Sequence, residues 1–259
     1  MEKKHKIGVS YNIFDDALEL LEKSIISIRE EVDYINVIYQ NISNLGNQSK
    51  IDIKNFLNTL VEKKLIDDIF LYTPDLTLIP HLNEINKRNI GLFIAEQKGC
   101  THFMTMDSDE IYNKKEFSFM KNEIIEKDFD CGVCQMLTFY KNENYILDPP
   151  EEYFVSLLYK IKPGIRFELG CSFPVLVDPT RRIVSNNVRI FKRDEIQMLH
   201  FSYVRNDLRR KLENSSANVN FKSFIDELVS YYENWNEGDD AYIAGLPPKK
   251  IKVKKFIYN

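Results

Sequence analysis

The chain has 259 residues, of which 44% are hydrophobic and 29% are charged, a balance that is typical of a folded globular protein and excludes a wholly disordered one. The formal net charge of -4 does not favour nucleic acid as a partner of the whole chain. No apolar run approaches the roughly 20 residues that cross a bilayer. The charged N-terminus, residues 1–6, lacks the apolar core of a signal peptide, so we expect a cytoplasmic protein.

The first 110 residues alternate strand and helix patterns. Apolar runs predict strands at 6–11, 33–40, 68–72 and His102–Met106. Helical spacing predicts helices at 14–28, 53–61 and 89–98, with an irregular stretch at 73–87 that holds two prolines. This alternation predicts an α/β fold with a mostly parallel sheet, right-handed crossovers and flanking helices.

The second half of the chain has a mixed β and α pattern. Extended segments are predicted at Cys131–Tyr140, 152–161, 165–169 and 188–191, with a hairpin turn at 162–164, and helices at 206–214 and 221–232. The lysine-rich tail, Lys249–Lys255, is typical of an edge strand. Because no long flexible linker interrupts the chain, we expect one compact domain over residues 1–259.

Cys131 and Cys134 match the C-x-x-C pattern, but no second pair exists to complete a four-cysteine zinc site. On a strand, positions three apart point to opposite faces. We therefore expect both to be buried, reduced core residues.

The most informative residues follow the fourth predicted strand. Asp107 and Asp109 stand two apart where a buried strand leaves the core, so in extended backbone both side chains point to the same side. Carboxylates at such a place are expensive to desolvate and usually meet a cation or a polar ligand. This D-x-D pattern suits Mg²⁺ or Mn²⁺ with a diphosphate completing the coordination shell.

Further polar residues fall at the ends of other predicted parallel strands. Tyr11 and Asn12 end the first strand and Gln40 ends the second. Ligands of open parallel sheets bind at the carboxyl ends of the strands, so we expect these residues to converge on the D-x-D acids. Neither a G-x-G-x-x-G nor a P-loop pattern occurs in the sequence, which argues against a Rossmann dehydrogenase and a P-loop NTPase.

Three segments together resemble the GT-A glycosyltransferases, especially family-2-like enzymes that use nucleotide sugars. They are 7–28 (IGVSYNIFDDALELLEKSIISI), 89–112 (NIGLFIAEQKGCTHFMTMDSDEIY) and 198–211 (MLHFSYVRNDLRRK). The resemblance implies a GT-A-like fold with a nucleotide-sugar-binding half at 1–112 and an acceptor-binding half at 113–259. It also implies a metal-dependent transfer of a sugar from a nucleotide-diphosphate sugar to an acceptor hydroxyl.

The resemblance also implies roles for single residues. Asp109 would ligate Mn²⁺ or Mg²⁺, Asp107 would contact the ribose, the metal or a metal-bound water, and His200 would be a third metal ligand; by itself, His200 between two apolar residues is equally consistent with packing. Arg205 and Lys211 would neutralise the diphosphate, while other basic residues of the same segment form a solvated helix face.

On the nucleotide side, Tyr11 would stack on the base, with core packing as its alternative, and Asn12 and Gln40 would contact the nucleotide. An inverting enzyme also needs a carboxylate base opposite the leaving group. No spacing singles one out from the candidates in the second half, which are Asp148, Glu168, Asp178, Asp194 and Glu195, with Asp178 and Asp194 placed first.

Other functions stay open. A nucleotidyltransferase of similar fold would prefer a glycine-rich, basic loop after the first strand, which residues 11–15 are not. A non-catalytic binding module would not need the two acids. A glycosyltransferase acting on modified bases of nucleic acid would use the basic segment near Arg205 and the lysine-rich tail. The acceptor class (glycan, protein, lipid-linked sugar or modified nucleic acid) and the oligomeric state are not encoded in any pattern.

Overall fold

The computed structural model describes residues 5–257, which form twelve strands and six α-helices. The strands are β1 (Ile7–Ile13), β2 (Tyr34–Tyr39), β3 (Asp68–Leu71), β4 (His102–Met106), β5 (Glu110–Ile111), β6 (Cys131–Tyr140), β7 (Asn142–Asp148), β8 (Phe154–Lys160), β9 (Val188–Ile190), β10 (Met198–Tyr203), β11 (Ala241–Ile243) and β12 (Lys249–Lys255). The α-helices are α1 (Leu18–Ile28), α2 (Ile53–Glu62), α3 (Pro80–Gln97), α4 (Lys114–Glu126), α5 (Leu208–Asn214) and α6 (Ile225–Glu233).

The first half forms the parallel part of the sheet, in the order β4-β1-β2-β3. Strands β1, β2 and β4 are almost wholly buried because helices cover both faces, as parallel sheets require. Helix α3 approaches β1 so closely that a Cβ atom on Gly91 would lie 2.1 Å from Ser10 Oγ. The predicted α/β class with a mostly parallel core flanked by helices is confirmed.

The second half extends this sheet with antiparallel strands. β8 pairs with β4, β6 pairs with β8, and β7, β12 and β11 continue in that order. β10 runs parallel to β6 and also pairs antiparallel with the short β5, which sets His200 opposite Glu110. This pairing carries a segment from late in the chain to the D-x-D acids.

One hydrophobic cluster crosses the boundary between the two predicted halves, from Ile7 in β1 to Met198 in β10. The division at residue 112 stays a prediction. No helix among the described residues is long and apolar enough to cross a membrane. Of the N-terminal stretch interpreted above, residues 1–4 lie outside the described residues.

Several sequence predictions need correction. The stretch at 73–87 is not irregular throughout, because α3 begins at Pro80, whose fixed φ suits the first turn of a helix. The segment 165–169 is not a strand, so residues 162–164 close no hairpin; the backbone N–H of Phe167 bonds to the Asn89 side chain instead. The lysine-rich β12 lies between β11 and β7 rather than at the edge.

The C-x-x-C cysteines behave as predicted. Cys131 and Cys134 are buried and free, and each belongs to a different hydrophobic cluster. Burial raises the pKa of both thiols above the ordinary value, so neither has the character of a reactive thiolate.

Candidate functional site

A cleft of about 580 Å³ lies at the carboxyl ends of the parallel strands, a volume that suits a ligand of small-molecule size. Asn12 near the end of β1, Gln40 after β2 and the acids after β4 reach it from the first half of the chain. His200 in β10, Arg205 and Lys211 reach it from the second half. The charged and amide side chains that line the cleft include Asn12, Asp16, Gln40, Asn44, Glu84, Lys87, Arg88, Asp107, Asp109, Glu110, Asp178, Arg181, His200, Arg205 and Lys211.

Asp107, the first D-x-D acid, is held between two buried guanidinium groups. Arg181 Nη2 lies 2.6 Å from its Oδ2 and Arg88 Nη2 lies 3.4 Å from its Oδ1. Burial raises the pKa of Asp107, but attraction to Arg181 and Arg88 outweighs it and keeps the pKa below the usual value. Asp107 is therefore ionised at neutral pH, and both its oxygens face cations.

Asp109, the second acid, also pairs with two cations, and both lie at the same oxygen. Its Oδ2 lies 2.7 Å from Arg205 Nη2 and 2.5 Å from Lys211 Nζ. Burial opposes ionisation, but Lys211 and Arg205 hold the pKa of Asp109 well below its usual value. The β5–β10 pairing and the start of α5 thus bring both cations to one carboxylate oxygen.

His200 stands beside this pair without bonding to it. Its Nε2 is 3.8 Å from Asp109 Oδ2, and its Nδ1 is 3.4 Å from Thr138 Oγ1. Burial lowers the pKa of His200, although Asp109 opposes the shift, so the imidazole is neutral at pH 7.

Glu110 is a further acid of the cleft lining and is buried, as Asp109 is. Its Oε1 accepts a hydrogen bond from Arg181, and its Oε2 has no partner among the described residues. Burial raises the pKa of Glu110 to about 7, with Arg181 opposing the shift. Glu110 is therefore a proton-binding group near neutral pH within the charged cluster.

The cleft is also lined by carboxamides with open hydrogen-bonding groups. Among the described residues, Asn12 Oδ1, Asn12 Nδ2, Gln40 Oε1 and Asn44 Oδ1 are buried and have no partner. Buried polar groups in native proteins are nearly always hydrogen-bonded, so unpaired ones lining a cleft point to a polar ligand. A donor and an acceptor on one planar amide match the edge of a nucleobase.

The structure removes several predicted residues from the site. Tyr11 is fully buried and its hydroxyl lies 3.1 Å from Ser24 Oγ, so its ring packs in the core and cannot stack on a base. Asp194 is exposed and does not line the cleft, in contrast to Asp178. The remaining base candidates also lie elsewhere: Asp148 pairs with Lys254, Glu195 with Arg189 and Glu168 with Arg166.

Asp178 stays a prediction as the base. One of its oxygens caps the turn that follows, accepting from the backbone N–H and the hydroxyl of Thr180 at 2.7 and 2.8 Å. The other lies 3.8 Å from Arg88 Nη2.

Of the remaining basic residues near Arg205, Arg210 binds the buried Asp15 and Arg209 binds the exposed Asp226, so they hold α5 in place.

Sequence reasoning missed Arg88, Arg181, Glu110 and Asn44. The spacing of Leu82, Ile85 and Leu92 on one face is the signal that would have extended α3 back to Pro80 and set Arg88 on a helix. No local pattern marks Arg181, because its place at the acids depends on how the loop before it crosses the sheet.

The donor set does not fit the metal that the family resemblance implies. Divalent ions need open carboxylate lone pairs, but Asp109 Oδ2 already accepts from two cations and both oxygens of Asp107 face guanidinium groups. Within residues 5–257, no group of three or more His, Cys, Asp or Glu side chains is placed to hold a metal ion. The metal roles of Asp107, Asp109 and His200 stay predictions, and in the structure the two acids are ion-paired with arginine and lysine side chains.

No protein-family model matches the sequence, and no curated protein matches it. Solved structures with a similar chain trace include a fragment of TarS from S. aureus, 1–349, in complex with UDP-GlcNAc. It aligns with a TM-score of 0.49 and 11% identity over 88% of this chain and 72% of that chain. A structure of GalNAc-T7 with UDP, GalNAc and Mn²⁺ aligns with a TM-score of 0.46 and 11% identity over 92% of this chain and 53% of that chain.

Proposed function

We propose that this protein is a glycosyltransferase that moves a sugar from a nucleotide-diphosphate sugar to an acceptor hydroxyl. One observation carries the proposal: a single cleft at the carboxyl ends of the parallel strands is lined both by unpaired carboxamides, at Asn12, Gln40 and Asn44, and by the cations around Asp107 and Asp109. A nucleoside diphosphate has the same two parts, a base edge that bonds to amides and a diphosphate that bonds to cations.

The proposed reaction is a substitution at the anomeric carbon. The acceptor oxygen forms a bond to the anomeric carbon while the bond between that carbon and the diphosphate oxygen breaks. The nucleoside diphosphate leaves with the bonding pair. Preorganised guanidinium and ammonium groups stabilise the charge that develops on the leaving group. In an inverting reaction the acceptor proton passes to a carboxylate, for which Asp178 is the candidate that lines the cleft.

A thermal-shift panel tests the proposal. UDP, GDP, CDP and dTDP sugars are each added with Mn²⁺, Mg²⁺ or EDTA, since a ligand that binds only the native state raises the unfolding temperature. We expect a shift with one nucleotide family. A panel without any shift would contradict the proposal.

Asn12→Ala provides the residue-level test. Because both amide atoms of Asn12 lack partners among the described residues, removing them should not lower the unfolding temperature of the free protein. The same change should weaken binding of the preferred nucleotide sugar by roughly tenfold, since it removes one or two hydrogen bonds to the ligand. Equal affinity in the variant would remove Asn12 from the site. Asn55→Ala, at the exposed start of α2, is the matched control and should leave affinity unchanged.

A further inference from the structure

The cation that binds the second D-x-D carboxylate is part of the chain itself. Lys211 Nζ lies 2.5 Å from Asp109 Oδ2, 2.6 Å from Ser202 Oγ and 3.1 Å from the backbone oxygen of Ser202. An ammonium group has three N–H donors, and the three acceptors match that number. Lys211 therefore occupies a complete binding site for a single cation, built from β10 and the D-x-D loop.

Arg205 holds the same carboxylate from a second side. Its Nη2 lies 2.7 Å from Asp109 Oδ2, and its Nη1 lies 3.0 Å from the backbone oxygen of Asp16 and 3.4 Å from Glu19 Oε1. The side chain is only 2% exposed. Unpairing a buried guanidinium is strongly unfavourable, so a divalent ion could not displace Arg205 at little cost.

Arg205 and Arg181, which pair with the two D-x-D acids, each have a donor that the described part of the protein does not use. Arg205 Nε and Arg181 Nη1 are buried and have no acceptor among the described residues, and both residues line the cleft. Unsatisfied buried donors destabilise the free protein. The oxygens of a diphosphate are strong acceptors that would satisfy them.

We propose that this protein binds its nucleotide-diphosphate donor without a divalent metal, with Lys211 and Arg205 as the resident cations of the D-x-D site. The inference rests on the proposed function for the identity of the ligand. It differs from that function in what neutralises the diphosphate, and the two can fail separately.

The first test compares the affinity of the preferred nucleotide sugar in EDTA with its affinity in Mn²⁺, by isothermal titration calorimetry on the wild-type protein. We expect equal affinities within about twofold, and a loss of roughly tenfold in Lys211→Met, since a positive charge beside the diphosphate is removed. Lys211→Arg keeps the charge and should retain more affinity than Lys211→Met. Lys54→Met, on the exposed face of α2, is the control and should bind as the wild type does.

A wild-type affinity that falls tenfold or more in EDTA would overturn this inference and leave the proposed function standing. That comparison needs no variant, so it decides the matter even where Lys211→Met does not fold. If no nucleotide sugar binds under any condition, the proposed function fails, and Mn²⁺ alone is then the probe. Electron paramagnetic resonance should show no protein-bound Mn²⁺ at the D-x-D acids, whereas bound Mn²⁺ that disappears in Asp109→Asn would overturn the inference.

Discussion

Replacing Arg181 by methionine should be among the most destabilising single changes in this protein. The guanidinium is 3% exposed and contacts both Asp107, at 2.6 Å, and Glu110. Methionine fills much of the same volume but leaves the buried Glu110 and the partly exposed Asp107 without their main cation. Removing one partner of a buried ion pair lowers the free energy of unfolding by about 3–5 kcal/mol.

The second carboxyl group, Glu110, allows a double-variant test of its contact with Arg181. Glu110 can respond to the loss of Arg181 by binding a proton, whereas Asp107 keeps only Arg88, at 3.4 Å. Glu110→Gln removes the charge in advance, so the double variant should be less destabilised than the sum of the two single changes. Such coupling is expected for residues in direct contact.

Urea-induced unfolding of the four proteins measures these free energies directly. The matched control is Arg209→Met, whose partner Asp226 is 92% exposed, and an exposed pair of this kind contributes about 0–1 kcal/mol. A loss below about 1 kcal/mol in Arg181→Met, similar to the control, would refute the reasoning about buried charge. Strict additivity in the double variant would refute the contact between Arg181 and Glu110.

Two further predictions concern proton binding and helix packing. Because folding raises the pKa of Glu110 from 4.5 to about 7, its contribution to stability is present below pH 4.5 and is lost as the pH rises through 7. The unfolding temperature of Glu110→Gln should therefore rise relative to that of the wild type between pH 5 and pH 8. A temperature difference that stays constant over this range would contradict the raised pKa. Gly91→Ala should lower stability although alanine is favoured in helices by about 1 kcal/mol, because the new Cβ would lie 2.1 Å from Ser10 Oγ and 2.5 Å from Ser10 Cβ. Adding Ser10→Gly removes both atoms and should recover part of the loss; a stabilised Gly91→Ala would show that α3 can shift away from β1.

Strands β1, β2 and β4 were predictable because each is a short, buried apolar run that needs few distant contacts to be recognised. Strand prediction failed where the backbone hydrogen-bonds to a side chain instead of to a neighbouring strand. Residues 165–169 include three apolar side chains, yet only Phe167 is buried, and its backbone N–H bonds to the side chain of Asn89 rather than to a neighbouring strand. β7 was missed because its outward residues are polar and only Ile146 and Leu147 are buried in it.

Part of the site was predictable because it lies at the ends of the predicted parallel strands. Asn12, Gln40 and Asp107 follow from the rule that parallel strands end at one edge of the sheet, and all three line the cleft. The partners of the acids were not predictable, because an arginine that reaches a carboxylate from a distant loop has no local signature. The D-x-D pattern therefore predicted a metal, but no pattern predicted that Arg205 and Lys211 pair with Asp109.

The most direct test of the central claim is the affinity of the preferred nucleotide sugar for the wild-type protein and for Asn12→Ala, measured by isothermal titration calorimetry beside the unfolding temperatures of both free proteins. A nucleotide-binding cleft predicts that Asn12→Ala binds roughly tenfold more weakly while its free form unfolds at the same temperature or higher. Equal affinity for both proteins, or no binding of any nucleotide sugar to the wild type, would contradict the proposed donor site.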